Sequence, residues 1–250
     1  MIYAIVDHKG GVGKTTTACA LAQGIDARKK GKALLIDADA QGTATKTVYG
    51  VTDPVPGLYE VITGNTTADK AIIHTEAGDV LPFSRKLSLL DVELSNAPGR
   101  DYYLREAIAP LKGQYTHIII DTAPGLSLGT VQALTASDAC IIPTGSTPEA
   151  VESIKLTYKT VETVKKYNNK ALEILGALIT LYDGRANLTR QYEELIQRLC
   201  NAYEIPLLHT RVRRCIAIQE AHALKVNLFD YAPKSNAVKD YTELIKEIKA

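Results

Sequence analysis

The chain has 250 residues, 29 Lys and Arg against 28 Asp and Glu for a formal net charge of +1, and 46% hydrophobic residues. That length and apolar share suit one α/β domain over 1–250, and the near-neutral balance excludes a globally basic nucleic-acid binder or a highly charged disordered chain. No apolar run approaches the ~20 residues of a membrane span and the first strand runs directly into a glycine loop without a signal-peptide pattern, so a cytoplasmic location is expected.

The run Ile2-Tyr3-Ala4-Ile5-Val6 predicts a buried strand, and apolar residues at helical spacing predict a helix over 16–29. Between them, Lys9-Gly10-Gly11-Val12-Gly13-Lys14-Thr15-Thr16 has the composition of a phosphate-binding loop. Its glycines let backbone N–H groups close around phosphates at the positive end of a helix dipole. Lys14 is placed to reach the β- and γ-phosphates and Thr15 to offer a hydroxyl to Mg²⁺, so ATP and Mg²⁺ are the expected ligands. The ordinary pattern has glycine at position 8, whereas this chain has His8 followed by Lys9. Two ammonium groups beside one loop repel each other unless a polyanion or an acid lies between them. Lys9 is therefore either a solvated loop lysine or a residue with a partner of its own.

Next comes Ala33-Leu34-Leu35-Ile36-Asp37-Ala38-Asp39-Ala40-Gln41-Gly42, an apolar strand ending in two carboxylates spaced i, i+2. At the carboxyl end of a parallel strand both would face the ligand crevice, one orienting water and the other supporting the magnesium shell. Residues 43–78 are broken by Pro54, Pro56 and Gly57 before a short helix over 58–63, and are expected to contact the active site from the side. The run His117-Ile118-Ile119-Ile120-Asp121 is a second β-branched strand ending in an acid, as a Walker B strand should. Further strands near 79–82, 139–143 and 174–180, alternating with helical patterns such as 149–166 and 189–202, predict a mostly parallel sheet of the P-loop NTPase type with helices on both faces. Cys19, Cys140, Cys200 and Cys215 are dispersed with no C-x-x-C pair, which favours packed thiols over a metal cluster. Any nucleic-acid signal must be local, and Arg185, Arg211, Arg213 and Arg214 supply one, offset in part by Glu193, Glu194 and Glu204.

Taken together these segments resemble the ParA/MinD ATPases, which carry a deviant Walker A motif with an extra lysine. The resemblance implies that Lys9 crosses a dimer interface to the partner subunit's nucleotide, that Asp39 organises the attacking water, and that Asp37 and Asp121 support the metal. The family segment usually reads D-x-D-P-Q-G; this chain has Ala40 at the proline position, which bears on loop stiffness. Ala123-Pro124-Gly125 is similar to switch II. Shorter matches at 181–188, 219–221 and 231–235 extend the likeness over nearly the whole chain and favour the Soj-like ParA branch. That branch implies an ATP-dependent homodimer that binds double-stranded DNA nonspecifically through Arg185 and Arg214, with Arg211 and Arg213 as weaker additions. It also implies association with the nucleoid and release when a ParB-like centromere-binding protein stimulates hydrolysis. The alternative is a MinD-like membrane-associated positioning ATPase anchored by a carboxyl-terminal amphipathic helix. Here the terminal stripe Val238, Tyr241, Leu244, Ile245 and Ile248 is expected to pack in the core instead.

Overall fold

The computed structural model describes all residues except 28–30, 53 and 55. Its eight strands are β1 (Ile2–Ile5), β2 (Ala33–Ala38), β3 (Ile73–Thr75), β4 (Gly78–Leu81), β5 (His117–Thr122), β6 (Ala139–Gly145), β7 (Glu173–Tyr182) and β8 (Leu207–Arg213). They form one sheet in the order β3-β4-β2-β5-β1-β6-β7-β8. Every pairing is parallel except β3 with β4, a hairpin at one edge. The helices are α1 (Lys14–Ala27), α2 (Leu58–Ile62), α3 (Ala68–Ala71), α4 (Leu90–Glu93), α5 (Tyr103–Ile108), α6 (Leu128–Ala136), α7 (Ala150–Tyr167), α8 (Asn187–Ala202), α9 (Ile216–Leu224), α10 (Leu228–Tyr231) and α11 (Asn236–Glu247). The far end of the helix expected over 16–29 lies outside the described residues.

Strand alternation divides the apolar side chains between two cores, as a sheet covered on both faces requires. Ile2, Ala4 and Val6 face the side packed by α2 and α5 to α8, whereas Tyr3 and Ile5 face α1 and α9 to α11. The terminal stripe lies in the second core: Tyr241 is 1% exposed and Leu244 and Ile245 are fully buried against α1 and β8. Cys19, Cys140 and Cys200 are buried apart from one another. Among the described residues no helix is long and apolar enough to cross a membrane.

The segment beside β2 is tied down by close backbone approach rather than by length. Leu58 N–H donates to the Pro82 carbonyl at 2.8 Å, and a Cβ on Gly57 would sit 2.3 Å from the Phe83 carbonyl oxygen. Gly57, a mere breaker in the sequence, is thus the residue that lets two chain segments touch. Because that neighbour is backbone, Gly57→Ala is expected to destabilise the protein by about 1–3 kcal/mol, read as a lower urea midpoint. An unchanged midpoint would mean that the 82–83 segment can retreat.

Candidate active site

The carboxyl ends of β1, β2 and β5 are adjacent, so the glycine loop and the two acidic strand ends meet in one place. The loop leaves β1 and enters α1, whose first turn closes with Thr17 N–H on the Gly13 carbonyl at 2.9 Å. Gly11 and Gly13 have φ of +75° and +84°, a region that costs other L-residues strain. Thr180 from β7 supports the loop from beneath, its hydroxyl shared between the Val12 carbonyl at 2.7 Å and the Thr144 carbonyl at 3.1 Å. Lys14 is nearly buried and donates to the Lys9 carbonyl at 2.8 Å. Burial lowers its pKa, opposed by the nearby carboxylates of Asp7, Asp121 and Asp39.

Asp37 and Asp121 stand opposite each other in the β2–β5 register, both with no exposed surface. Asp37 is well partnered: its Oδ2 accepts the Thr45 N–H at 2.8 Å and the Thr45 hydroxyl at 2.7 Å, and its Oδ1 takes the Asp39 N–H at 3.3 Å. Burial still raises its carboxyl from 3.8 to about 6. Among the described residues neither oxygen of Asp121 has a hydrogen-bond partner. Burial, then the charge of Asp37, pushes the Asp121 carboxyl well above the carboxylate range, opposed by the Thr15 hydroxyl and Lys14. A buried carboxylate with two unpaired oxygens, a second acid across the sheet and a threonine hydroxyl is a donor set that fits Mg²⁺, which keeps waters and shares phosphate oxygens. Asp39 lies beyond the last residue of β2, partly exposed, with its Oδ1 accepting the Gln41 N–H at 2.9 Å. The two acids therefore occupy different environments, Asp37 sealed and Asp39 at the mouth.

Lys9 has partners within its own chain, Glu149 Oε2 at 2.8 Å and Thr147 Oγ1 at 3.0 Å. The hydrogen bond from Lys9 leads the effects that draw the Glu149 carboxyl down to about 2. A cavity of about 390 Å³ opens beside Gly13 and Thr16, walled by Val212, Arg213, Ile218 and His222. Its β8 and α9 wall was not legible as a site, because its apolar residues read as ordinary packing.

The arginines divide. Arg185, Arg213 and Arg214 line one cavity of about 430 Å³ with Asn236, whereas Arg211 turns toward α8 and pairs with Glu193 at 2.6 Å. Arg213 is held by Asp240 at 2.5 Å, and Arg185, highly exposed, by Asp183 at 3.2 Å. Arg214 is exposed and, among the described residues, has no carboxylate within ion-pair distance. Arg213 and Arg214 also line the cavity beside the glycine loop.

A glycine loop between a central strand and its helix, with acids at the ends of neighbouring parallel strands, defines a P-loop nucleotide-binding fold. The family model described as an AAA domain matches residues 1–174. The chromosome partitioning protein ParA of Caulobacter vibrioides is 33% identical over 99% of this chain and 93% of its own length. The sporulation initiation inhibitor protein Soj of Bacillus subtilis is 34% identical over 100% of this chain and 98% of its own. Among solved structures, a Mycobacterium smegmatis protein described as cobyrinic acid a,c-diamide synthase, with bound ATP analog and magnesium, superposes with a TM-score of 0.86 at 29% identity, covering 98% of this chain and 92% of that one. The chain belongs to the ParA/Soj family of P-loop partition ATPases.

The raised carboxyls carry a stability consequence. An acid whose folded pKa lies above its unfolded value imposes no penalty at low pH and destabilises increasingly as pH rises through that interval. For Asp37 the interval runs from 3.8 to about 6, and the penalty persists above it. Asp121→Asn removes one of the two opposed charges and is expected to raise the melting temperature of the ligand-free protein at pH 7 by ~3–6 °C, with a smaller gain at pH 4. It should also erase the extra stabilisation that magnesium adds to nucleotide. Scanning fluorimetry with and without EDTA checks both signs.

Proposed function

We propose that this chain is an ATP-dependent DNA-partitioning ATPase whose ATP-bound dimer holds DNA nonspecifically and releases it on hydrolysis to ADP and phosphate. The observation that carries the reading is the joint between β8 and α9. Arg213 and Arg214 wall the cavity beside the glycine loop on one side and the Arg185 cavity on the other. A change in what fills the first cavity therefore bears directly on the basic surface.

In this reading the amides of residues 10–16 and the Lys14 ammonium hold the phosphates, and the 390 Å³ cavity takes the nucleoside. Thr15 and Asp121, with Asp37 behind them, would hold Mg²⁺, which supplies charge neutralisation to the phosphate oxygens. Asp39, at the mouth and partly exposed, orients the attacking water. Lys9 exchanges Glu149 for the partner subunit's nucleotide, so the site is complete only in the dimer. Incomplete alignment keeps unaided turnover slow, and a ParB-like centromere-binding protein is the expected stimulator. Two monomeric patches joined in one dimer gain effective concentration, and phosphate contacts give salt-sensitive binding with little sequence preference. Such a dimer would reside on the nucleoid in the cytoplasm. The MinD-like alternative loses support from α11, whose apolar stripe is occupied by the core.

Binding to a random-sequence duplex with ADP, ATP and a slowly hydrolysed analogue, with oligomeric state followed in the same samples, tests the reading. Dimerisation without DNA binding would overturn it in favour of a membrane role. Arg214→Ala is expected to weaken DNA retention by tenfold or more and to lower the salt slope by about one unit per lost contact, with nucleotide affinity retained. Asp39→Ala is expected to accumulate an ATP-bound dimer by size-exclusion chromatography. A strictly monomeric variant at saturating ATP would contradict the water-positioning role.

A further inference from the structure

Asp7 lies at the base of the glycine loop, 3% exposed, and no step described above uses it. Its Oδ1 accepts the Lys9 N–H at 2.7 Å and the Ser153 hydroxyl, and Ser153 Oγ in turn lies 3.0 Å from the same N–H. Ser153 belongs to a row of hydroxyls on one face of α7. Thr157 Oγ1 accepts the His8 N–H at 3.1 Å, and Thr160 Oγ1 lies 3.0 Å from His8 Nε2. Spaced i, i+4 and i+7, the three hydroxyls clamp residues 7–9 to one helix.

The clamp needs only one acceptor atom from residue 7. The other oxygen, Oδ2, is buried and among the described residues has no hydrogen-bond partner. An uncharged amide would serve the geometry equally well, so the charge is surplus to the clamp. Burial pushes the Asp7 carboxyl up, but Ser153, the Lys9 N–H, Lys14 and His8 all favour its charged form. Lys14 is its charged neighbour: Lys9, whose N–H is held by Asp7, gives its carbonyl to the Lys14 ammonium at 2.8 Å, and Lys14 is the side chain that the nucleotide reading assigns to phosphate.

We propose that Asp7 sets the affinity of the loop for polyphosphate. The charge of its ionised carboxylate counters Lys14 and repels the incoming phosphates, more strongly for a triphosphate than a diphosphate, while its Oδ1 holds Lys9 in register directly and through Ser153. A loop rich in glycine amides and lysines would otherwise retain nucleotide tightly; a buried counter-charge makes exchange easier. The proposal rests on the nucleotide-binding reading of this loop.

The test is titration of fluorescent ADP and a slowly hydrolysed fluorescent ATP analogue, in magnesium, at two salt concentrations. Asp7→Asn keeps the acceptor and removes the charge. It is expected to bind about tenfold tighter, with the larger gain for the triphosphate and a smaller gain at high salt. Asp7→Ser is a second uncharged variant in case the first folds poorly, and should shift the triphosphate to diphosphate ratio in the same direction. Ser153→Ala keeps the charge and loosens the clamp; it is expected to weaken both nucleotides alike. Folded Asp7→Asn binding both nucleotides no tighter than wild type, or folded Asp7→Ser leaving the triphosphate to diphosphate ratio unchanged, would overturn the proposal. Wild-type protein that binds neither nucleotide would instead overturn the loop reading beneath it.

Discussion

The site is organised by two carboxylates that face each other inside the sheet with too little to neutralise them. Asp37 and Asp121 are the last residues but one of adjacent parallel strands in the same register, and neither is exposed. Their placement follows from the apolar runs that precede them, since burying Leu34-Leu35-Ile36 beside Ile118-Ile119-Ile120 carries the next residue of each strand into the same crevice. Buried like charges are unfavourable, and only cations or strong donors relieve them. Thr45 relieves Asp37, while the Thr15 hydroxyl and Lys14 act in the same sense on Asp121. A ligand that brings positive charge into this crevice stabilises the folded protein as it binds, so occupancy and stability are linked.

The surrounding elements tie that crevice to other surfaces of the molecule. Residues 44–48 wind as a π-helix, an uncommon form that places Thr45 on Asp37 and also sets the Thr45 hydroxyl to accept the Phe83 N–H at 3.1 Å. On the opposite side, α7 holds residues 7–9 through Ser153, Thr157 and Thr160, and its amino-terminal neighbour Glu149 holds the Lys9 ammonium. The β8–α9 joint joins the nucleoside-sized cavity to the arginines.

Legibility followed the strength of the local pattern. Central strands such as β5 were readable because a β-branched run buried on both faces has few alternatives. The edge strand β3 escaped, being three residues long with His74 exposed. Strand β8 escaped for a different reason: its arginines at 211 and 213 interrupt the apolar signal, and one face of it is only half-buried. The same arginines read as a single basic patch, yet their neighbours on α8 and α11 draw Arg211 to Glu193 and Arg213 to Asp240. Ion pairing between elements far apart in the chain leaves no mark in local spacing.

The sequence by itself determined the glycine loop, the two acidic strand ends, the order of the central elements and the family. These features are encoded by short runs whose backbone demands are local: glycine where φ is positive, β-branched residues where both faces are buried, acids at strand ends. Tertiary structure alone decided that Asp121 is buried without a hydrogen-bond partner among the described residues, that Asp37 and Asp39 differ in environment, that Lys9 pairs with Glu149, and which arginines share a surface. It also decided that Asp7 is buried with its Oδ1 on the Lys9 N–H and its Oδ2 outside the clamp. The physical reason is that burial and electrostatic partnership are properties of neighbours in space, brought together by sheet register and helix packing from separate parts of the chain.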